Sequence, residues 1–191
     1  MIQDVSIVIL AGGKSSRMGR DKGLLSWGSH SFIDHLVEQF ERTTKEIWIS
    51  VAAHNCKSYE KYQSILIQDQ YEGLGPLGGI NSVLSHIKTN WFYVISVDAP
   101  LITSHMLEDL WNSKNGFEAV VFETEGKIHP LIGLYHMNTG KVWKSALVEN
   151  KLKITNLVCQ MNYKSILANK DQMNQLKNIN TPKDYKEVLK S

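Results

Sequence analysis

Cysteine is scarce in this 191-residue chain, which holds two, Cys56 and Cys159. They stand too far apart for a CxxC metal pair and are too few for a disulfide framework. This points to a reduced, cytoplasmic protein, with a single disulfide as the one open alternative. Acids and bases nearly cancel, at 19 and 21 for a net charge of +2, and they are interspersed. The basic stripe of a nucleic-acid surface is therefore missing, and no nucleic-acid partner is expected. No apolar run approaches the roughly 18 residues of a membrane helix. Residues 5–11 are apolar, but they lack a basic leader and are followed at once by charge, so they are read as neither signal peptide nor span, and a soluble protein is expected. His30, His35, His54, His86, His105 and His136 show no zinc spacing. Internal repeats and low-complexity linkers are absent too. The length suits one domain over residues 1–191, able to bury about 70% of its unfolded-chain surface.

What is present is concentrated near the start. Residues 7–25 read IVILAGGKSSRMGRDKGLL, an apolar strand running into a loop with Gly12, Gly13, Gly19 and Gly23. Glycines there let backbone N–H groups converge on an anion, and Lys14, Arg17, Arg20 and Lys22 supply countercharge. The chain owns only three arginines, so Arg17 and Arg20 together are a real concentration of the fork that suits phosphate oxygens. A polyphosphate is the expected guest. Two common phosphate loops are excluded: a Walker A loop would need glycine where Val8 stands, and no G-x-G-x-x-G exists.

From Leu10 to Lys22 the pattern L-A-G-G-x-S-x-R-M-G-x-D-K resembles the signature of nucleotidyltransferases that activate small molecules by transferring an NMP, and within them the molybdenum cofactor guanylyltransferase family, the MobA-type enzymes. The resemblance covers nearly the whole chain and is weak from Gly140 to Lys177.

Alternating elements run through the first 125 residues as βα units. Val5 to Leu10 is a strand covered on both faces; Ser31 caps a helix to about Glu41; Glu46 to Ala52 is a strand; a short helix near Asn55 to Gln63 leads to a strand at Ile65 to Gln68. A second glycine loop, Gly73 to Gly79, precedes a helix over Ile80 to Lys88. Trp91 to Val97 is the other central strand, Thr103 caps the next helix, and Glu118 to Phe122 is a strand. A turn at Thr124 to Lys127 then pairs it antiparallel with Ile128 to Tyr135. Asn138 to Glu149 is helical, 151–180 is too Asn-, Lys- and Gln-rich to assign, and Pro182 opens a last helix, Lys183 to Lys190. The expected fold is α/β: a Rossmann-like, mostly parallel sheet with one antiparallel element and helices on both faces, similar to nucleotide-diphospho-sugar transferases.

Ligands of open parallel sheets bind beyond the carboxyl ends of strands, where the Gly12 loop, Asp69 and Asp98 fall. A charge directly after seven mainly apolar residues belongs at the strand's exposed end, and Pro100 keeps Ala99 extended. Local sequence alone reads Asp98 equally as a turn or helix-cap residue; the resemblance implies that it holds Mg²⁺. Lys22 is the best cation for the α- and β-phosphates, while Lys14 and Arg20 read equally as solvated charge. By resemblance Lys22, Arg17 and Asp98 are catalytic, and Leu10, Ala11, Gly12, Gly13, Lys22, Asp69, Gly78 and Asp98 bind nucleotide. Asp69 alone would be a turn residue. Asn178-Ile-Asn-Thr-Pro-Lys-Asp184 matches the family's N-x-N-T-P-x-D ending, and His129-Pro130 its H-P element, so His129, Pro130, Asn178 and Asn180 are implied on the acceptor side. Without the resemblance, Asn180-Thr-Pro is a good helix start and nothing more.

Two departures stand out. The family's asparagine at the end of the second strand is replaced in Ser50-Val-Ala-Ala53, leaving open whether Asn55 takes over its nucleoside contact, and the cysteine before the D-x-P aspartate is Val97. The resemblance implies transfer of GMP from GTP-Mg²⁺ to the terminal phosphate of molybdopterin, in its molybdenum-loaded form, with a molybdenum-insertion protein and apo-molybdoenzymes as further partners. A CTP-dependent sister enzyme, a sugar- or polyol-phosphate nucleotidyltransferase, and a carrier without catalysis are the alternatives. LAGG with GPLGG favours guanylyl transfer, and a carrier would need neither Lys22 nor Asp98.

Overall fold

The computed structural model describes residues 2–13 and 21–189. Its centre is a seven-stranded sheet built from β1 (Val5–Leu10), β4 (Glu46–Val51), β5 (Leu66–Gln68), β6 (Trp91–Ser96), β7 (Ala119–Thr124), β8 (Lys127–His136) and β9 (Tyr163–Leu167). Their order is β5-β4-β1-β6-β8-β7-β9. All run parallel except β8, which is antiparallel to both neighbours. A small hairpin of β2 (Ser26–Trp27) and β3 (His30–Ser31) turns at Gly28, where φ is +60°.

β1 is apolar at nearly every position because both its faces are covered. Val5, Ile7 and Ile9 pack on one side with Phe32, Leu36 and Phe40 of α1 (Phe32–Glu41) and Met106, Leu107 and Leu110 of α3 (Ser104–Asn112). Val8 and Leu10 pack on the other side with α2 (Pro76–Leu84), α4 (Gly140–Val148) and α5 (Ile154–Val158). α6 (Lys170–Gln175) and α7 (Pro182–Val188) complete the first face, with Leu176, Tyr185 and Val188 against its core. The chain moves outward from β1 to β4 and β5, then returns to place β6 on the other side of β1. The crevice beyond the carboxyl ends of β1, β4 and β6 is thus the topological switch point.

The structure corrects four local expectations. The segment expected as a helix over Asn55 to Gln63 is a 3₁₀ stretch, Ala53–Tyr62. α2 begins at Pro76 rather than Ile80, so Gly78 and Gly79 lie in its first turns and not in a loop. A side chain on Gly78 would meet the Tyr71 carbonyl oxygen at 2.6 Å, and one on Gly79 the Ser50 hydroxyl at 2.9 Å, so close packing rather than flexibility requires these glycines. Thr103 occupies the N-cap of α3 but makes no capping side-chain bond, and β6 stops at Ser96. The unassigned 151–180 region holds α5, α6 and the edge strand β9, paired only with β7.

Candidate functional site

The exit of β1 is held from both sides. Ala11 N–H donates to the Ser50 carbonyl at 2.8 Å, and Val97 N–H donates to the Leu10 carbonyl at 3.0 Å. Leu10 and Ala11 are buried, Gly12 is half-buried and Gly13 is exposed, so the chain rises out of the sheet over four residues. A Cβ on Gly12 would sit 3.3 Å from the Ala52 nitrogen, whereas one on Gly13 would meet nothing within 4 Å. Close backbone approach therefore accounts for Gly12 and leaves Gly13 open toward the crevice. Lys14, Arg17 and Arg20 lie outside the described residues.

Past that segment Lys22 opens a 3₁₀ turn, Lys22–Leu24, and reaches the end of β6. Its Nζ lies 3.1 Å from Asp98 Oδ2 and 2.5 Å from Asn180 Oδ1. The other Asp98 oxygen accepts the Ser96 hydroxyl at 2.6 Å, and the Asp98 carbonyl accepts Ile179 N–H at 2.7 Å. Lys22 and Asp98 side chains keep only 17% and 16% exposure, which limits how far water screens their charges. Asn180 is set in turn by α7: Asp184 accepts from the N–H groups of Asn180 and Thr181, and these bonds hold its carboxyl below the usual range. Residues 76 and 158 positions apart from Lys22 thus converge on one ammonium.

The other expected residues fall around this centre. Asp69 directly follows β5, about 10 Å from β1 at ordinary strand spacing. Its Oδ1 accepts Tyr71 N–H at 2.8 Å and the Ser82 hydroxyl at 3.1 Å, and a Cβ on Gly78 would come within 3.0 Å of both carboxylate oxygens. Asp69 and Gly78 are brought together, with the carboxylate engaged in a turn. β8 runs backwards, so its amino end lies beside the carboxyl end of β6 and places His129 and Pro130 on the site's side of the sheet. The register with β7 jumps from Val121↔Gly133 to Phe122↔His129, and Pro130 to Ile132 bulge away from β7. His129 Nε2 shares a 2.6 Å hydrogen bond with Thr124 Oγ1, and burial lowers its pKa, favouring the neutral ring. Asn178 is exposed and makes no side-chain hydrogen bond among the described residues. No group of three His, Cys, Asp or Glu among the described residues is placed to hold a metal ion, leaving Asp98 with Asn180 as an oxygen-only pair.

Sequence reasoning missed the supports of Lys22. Asp21 Oδ1 accepts Gly23 N–H at 2.9 Å and the Tyr59 hydroxyl at 2.8 Å, and Oδ2 accepts the Asn55 amide at 2.8 Å. Asn55 is thus bonded to the Lys22 turn. Asp21 stood in the G-x-D-K pattern; Tyr59 carried no local signal.

The model of the MobA-like NTP transferase domain family matches residues 7–157, a span that contains the whole glycine loop and the Lys22–Asp98 pair. The chain belongs to the MobA-like nucleotidyltransferase family. Two relatives within it, from Carboxydothermus hydrogenoformans and Flavobacterium johnsoniae, are each named a probable molybdenum cofactor guanylyltransferase. The first is 32% identical over 99% of this chain and 97% of its own length, the second 33% identical over 98% and 97%. Molybdopterin-guanine dinucleotide biosynthesis protein A from Archaeoglobus fulgidus shares the fold, with a TM-score of 0.79, 22% identity and 97% of each chain covered. As a MobA-like protein the chain is a nucleotidyltransferase.

Proposed function

We propose that this enzyme transfers GMP from GTP to the terminal phosphate of molybdopterin in its molybdenum-loaded form, releasing pyrophosphate and giving the guanine dinucleotide cofactor. The observation carrying the reading is Lys22 bonded to Asp98 and Asn180 beside the Gly12–Gly13 exit of β1, in a chain whose full-length relatives are named for this reaction. An acceptor phosphate oxygen forms a bond to the GTP α-phosphorus while the bond to the leaving pyrophosphate breaks. A phosphomonoester is largely dianionic near neutral pH, its second pKa being about 6, so the acceptor needs no protein base to become a nucleophile. The protein's task is alignment and positive charge. Gly12 and Gly13 give a purine edge room against backbone groups, Lys22 and Arg17 meet the phosphates, and His129 and Pro130 flank the acceptor side.

Asp98 and the Asn180 amide oxygen form a hard, oxygen-only donor pair of the kind Mg²⁺ accepts when substrate phosphates and water complete its shell. Bound there, Mg²⁺ would neutralise charge on the phosphates and on the departing pyrophosphate. The free thiols of Cys56 and Cys159 suit a reducing compartment, and we place the enzyme in the cytoplasm. Titration calorimetry with Mg²⁺ present is expected to give GTP an affinity at least about tenfold above CTP, about 1.4 kcal/mol. Equal or inverted affinities would sink the guanylyl assignment and favour a cytidylyl enzyme.

A further inference from the structure

The Lys22 ammonium is held at its tip by Asp98 and Asn180, but its backbone is held by a different set of groups that the reaction does not touch. Asp21, the residue before it, spreads three hydrogen bonds over its two carboxylate oxygens, and two of the donors come from the 3₁₀ stretch after β4. Tyr59 is fully buried. Desolvation and then the Asp21 charge push its phenol far above its ordinary range, so it remains a donor at every working pH. The fit around it is tight: a Cβ on Gly23 would fall 2.2 Å from the Tyr59 hydroxyl oxygen and 3.2 Å from Val97 Cγ2. The turn that carries Lys22 is therefore seated on the Tyr59 hydroxyl and tied by Asn55, both reached through Asp21.

We infer that Tyr59 and Asn55 are positioning residues for Lys22, acting through the Asp21 carboxylate to hold the ammonium where charge builds on the transferred phosphoryl group. The inference rests on the guanylyl-transfer reading above. It assigns Asn55 to the cation of the site and not to the nucleoside.

The test is a double-mutant cycle on the full chain, measuring kcat and KM for GTP with Mg²⁺ and molybdopterin. Tyr59→Phe keeps the ring and removes the donor, and is expected to lower kcat about tenfold with KM for GTP little changed. In a Lys22→Ala background the same change should have no further effect on kcat. Asn55→Ala, at a half-buried position, repeats the test should Tyr59→Phe fold poorly, with thermal unfolding as the control. Equal losses in both backgrounds would mean a merely structural role and overturn the inference. A second readout needs no turnover: acylation of Lys22 by an amine-reactive reagent, followed by peptide mass spectrometry, should speed up several-fold in both variants while exposed lysines are unaffected. An unchanged Lys22 rate would also overturn it, whereas a wild-type chain that forms no guanylylated product would overturn the functional reading alone.

Discussion

A lysine ammonium and an aspartate carboxylate 3.1 Å apart cancel each other's charge at the place where, on the proposed reading, the polyphosphate is received. Neither stays uncompensated in the partly dehydrated crevice, and each is available to a stronger partner when phosphates and a cation arrive. Asp98→Asn keeps the size and an oxygen that accepts from Lys22, with the amide nitrogen donating to the Ser96 hydroxyl in place of the second acceptor, but deletes the charge. The fold is expected to survive, seen as an unfolding temperature near wild type, while metal-dependent turnover falls by about 10²-fold or more. Added Mg²⁺ should also stop tightening GTP. Near-normal turnover with intact Mg²⁺ dependence would place the metal elsewhere. Asp98 and Lys22 each follow a local cue, an apolar strand and a glycine loop, but local sequence reads Asp98 equally as a turn residue and the family resemblance singles it out. Tyr59 could not be picked out from sequence, and Asn55 stands out only as a candidate for a nucleoside contact, since their bonds to Asp21 join positions 38 and 34 apart and leave no spacing to read.

At the scale of elements, α1 shows how local chemistry fixes a boundary. Ser31 and Asp34 form a reciprocal capping box, and Asp34 also accepts from Lys61 and Tyr62 of the 3₁₀ stretch. Desolvation alone would raise the Asp34 pKa, but the hydrogen bonds from Lys61, Ser31 and Tyr62 outweigh it and hold the carboxyl well below its usual range. A depressed folded-state pKa stabilises the protein fully above the unfolded value near 4, and that contribution is lost as pH falls through the folded value. Urea unfolding of wild type and Asp34→Asn should therefore differ most at neutral pH and converge as pH drops below about 4. A gap that widens with acid would contradict the assignment. This cap was readable from sequence, as were β1, β4 and β6, because serine precedes an amphipathic run and the strands are buried on both faces. α2 was misplaced because glycines that permit close helix packing look the same as glycines that permit a turn. β9 was unreadable because an edge strand pairs on one side, and its exposed Lys164 and Leu167 break the apolar alternation.

Over the whole molecule, the last part of the chain closes the site. Ile179 is buried in the core that also contains the β1 residues Val5, Ile7 and Ile9, its N–H caps the Asp98 carbonyl, and Tyr185 of α7 donates to the Ser26 carbonyl and packs edge-on against Phe32. Ile179→Ala is expected to cost about 2–5 kcal/mol by chemical denaturation, the usual range for a buried aliphatic truncation to alanine. Because the Ile179 backbone also supports Asp98, turnover measured well below the unfolding temperature should fall as well. Full turnover in a destabilised variant would separate the tail's packing from the site. The mixed sheet was legible from the run of βα units followed by a hairpin, while the tail's place depended on a match to a family ending and not on any period in residues 151–180.

That closure also dictates when the enzyme becomes competent during its own synthesis. Chains grow from the amino end and fold as they emerge, so β1, β4, β5 and β6 are all made by residue 96, yet Asn180 is made more than 80 residues after Asp98. A nascent chain that has completed these strands still lacks the amide oxygen that accepts from Lys22 and the backbone donor that braces Asp98. On the guanylyl-transfer reading, turnover is therefore expected only once the segment around residue 180 has left the ribosome and docked.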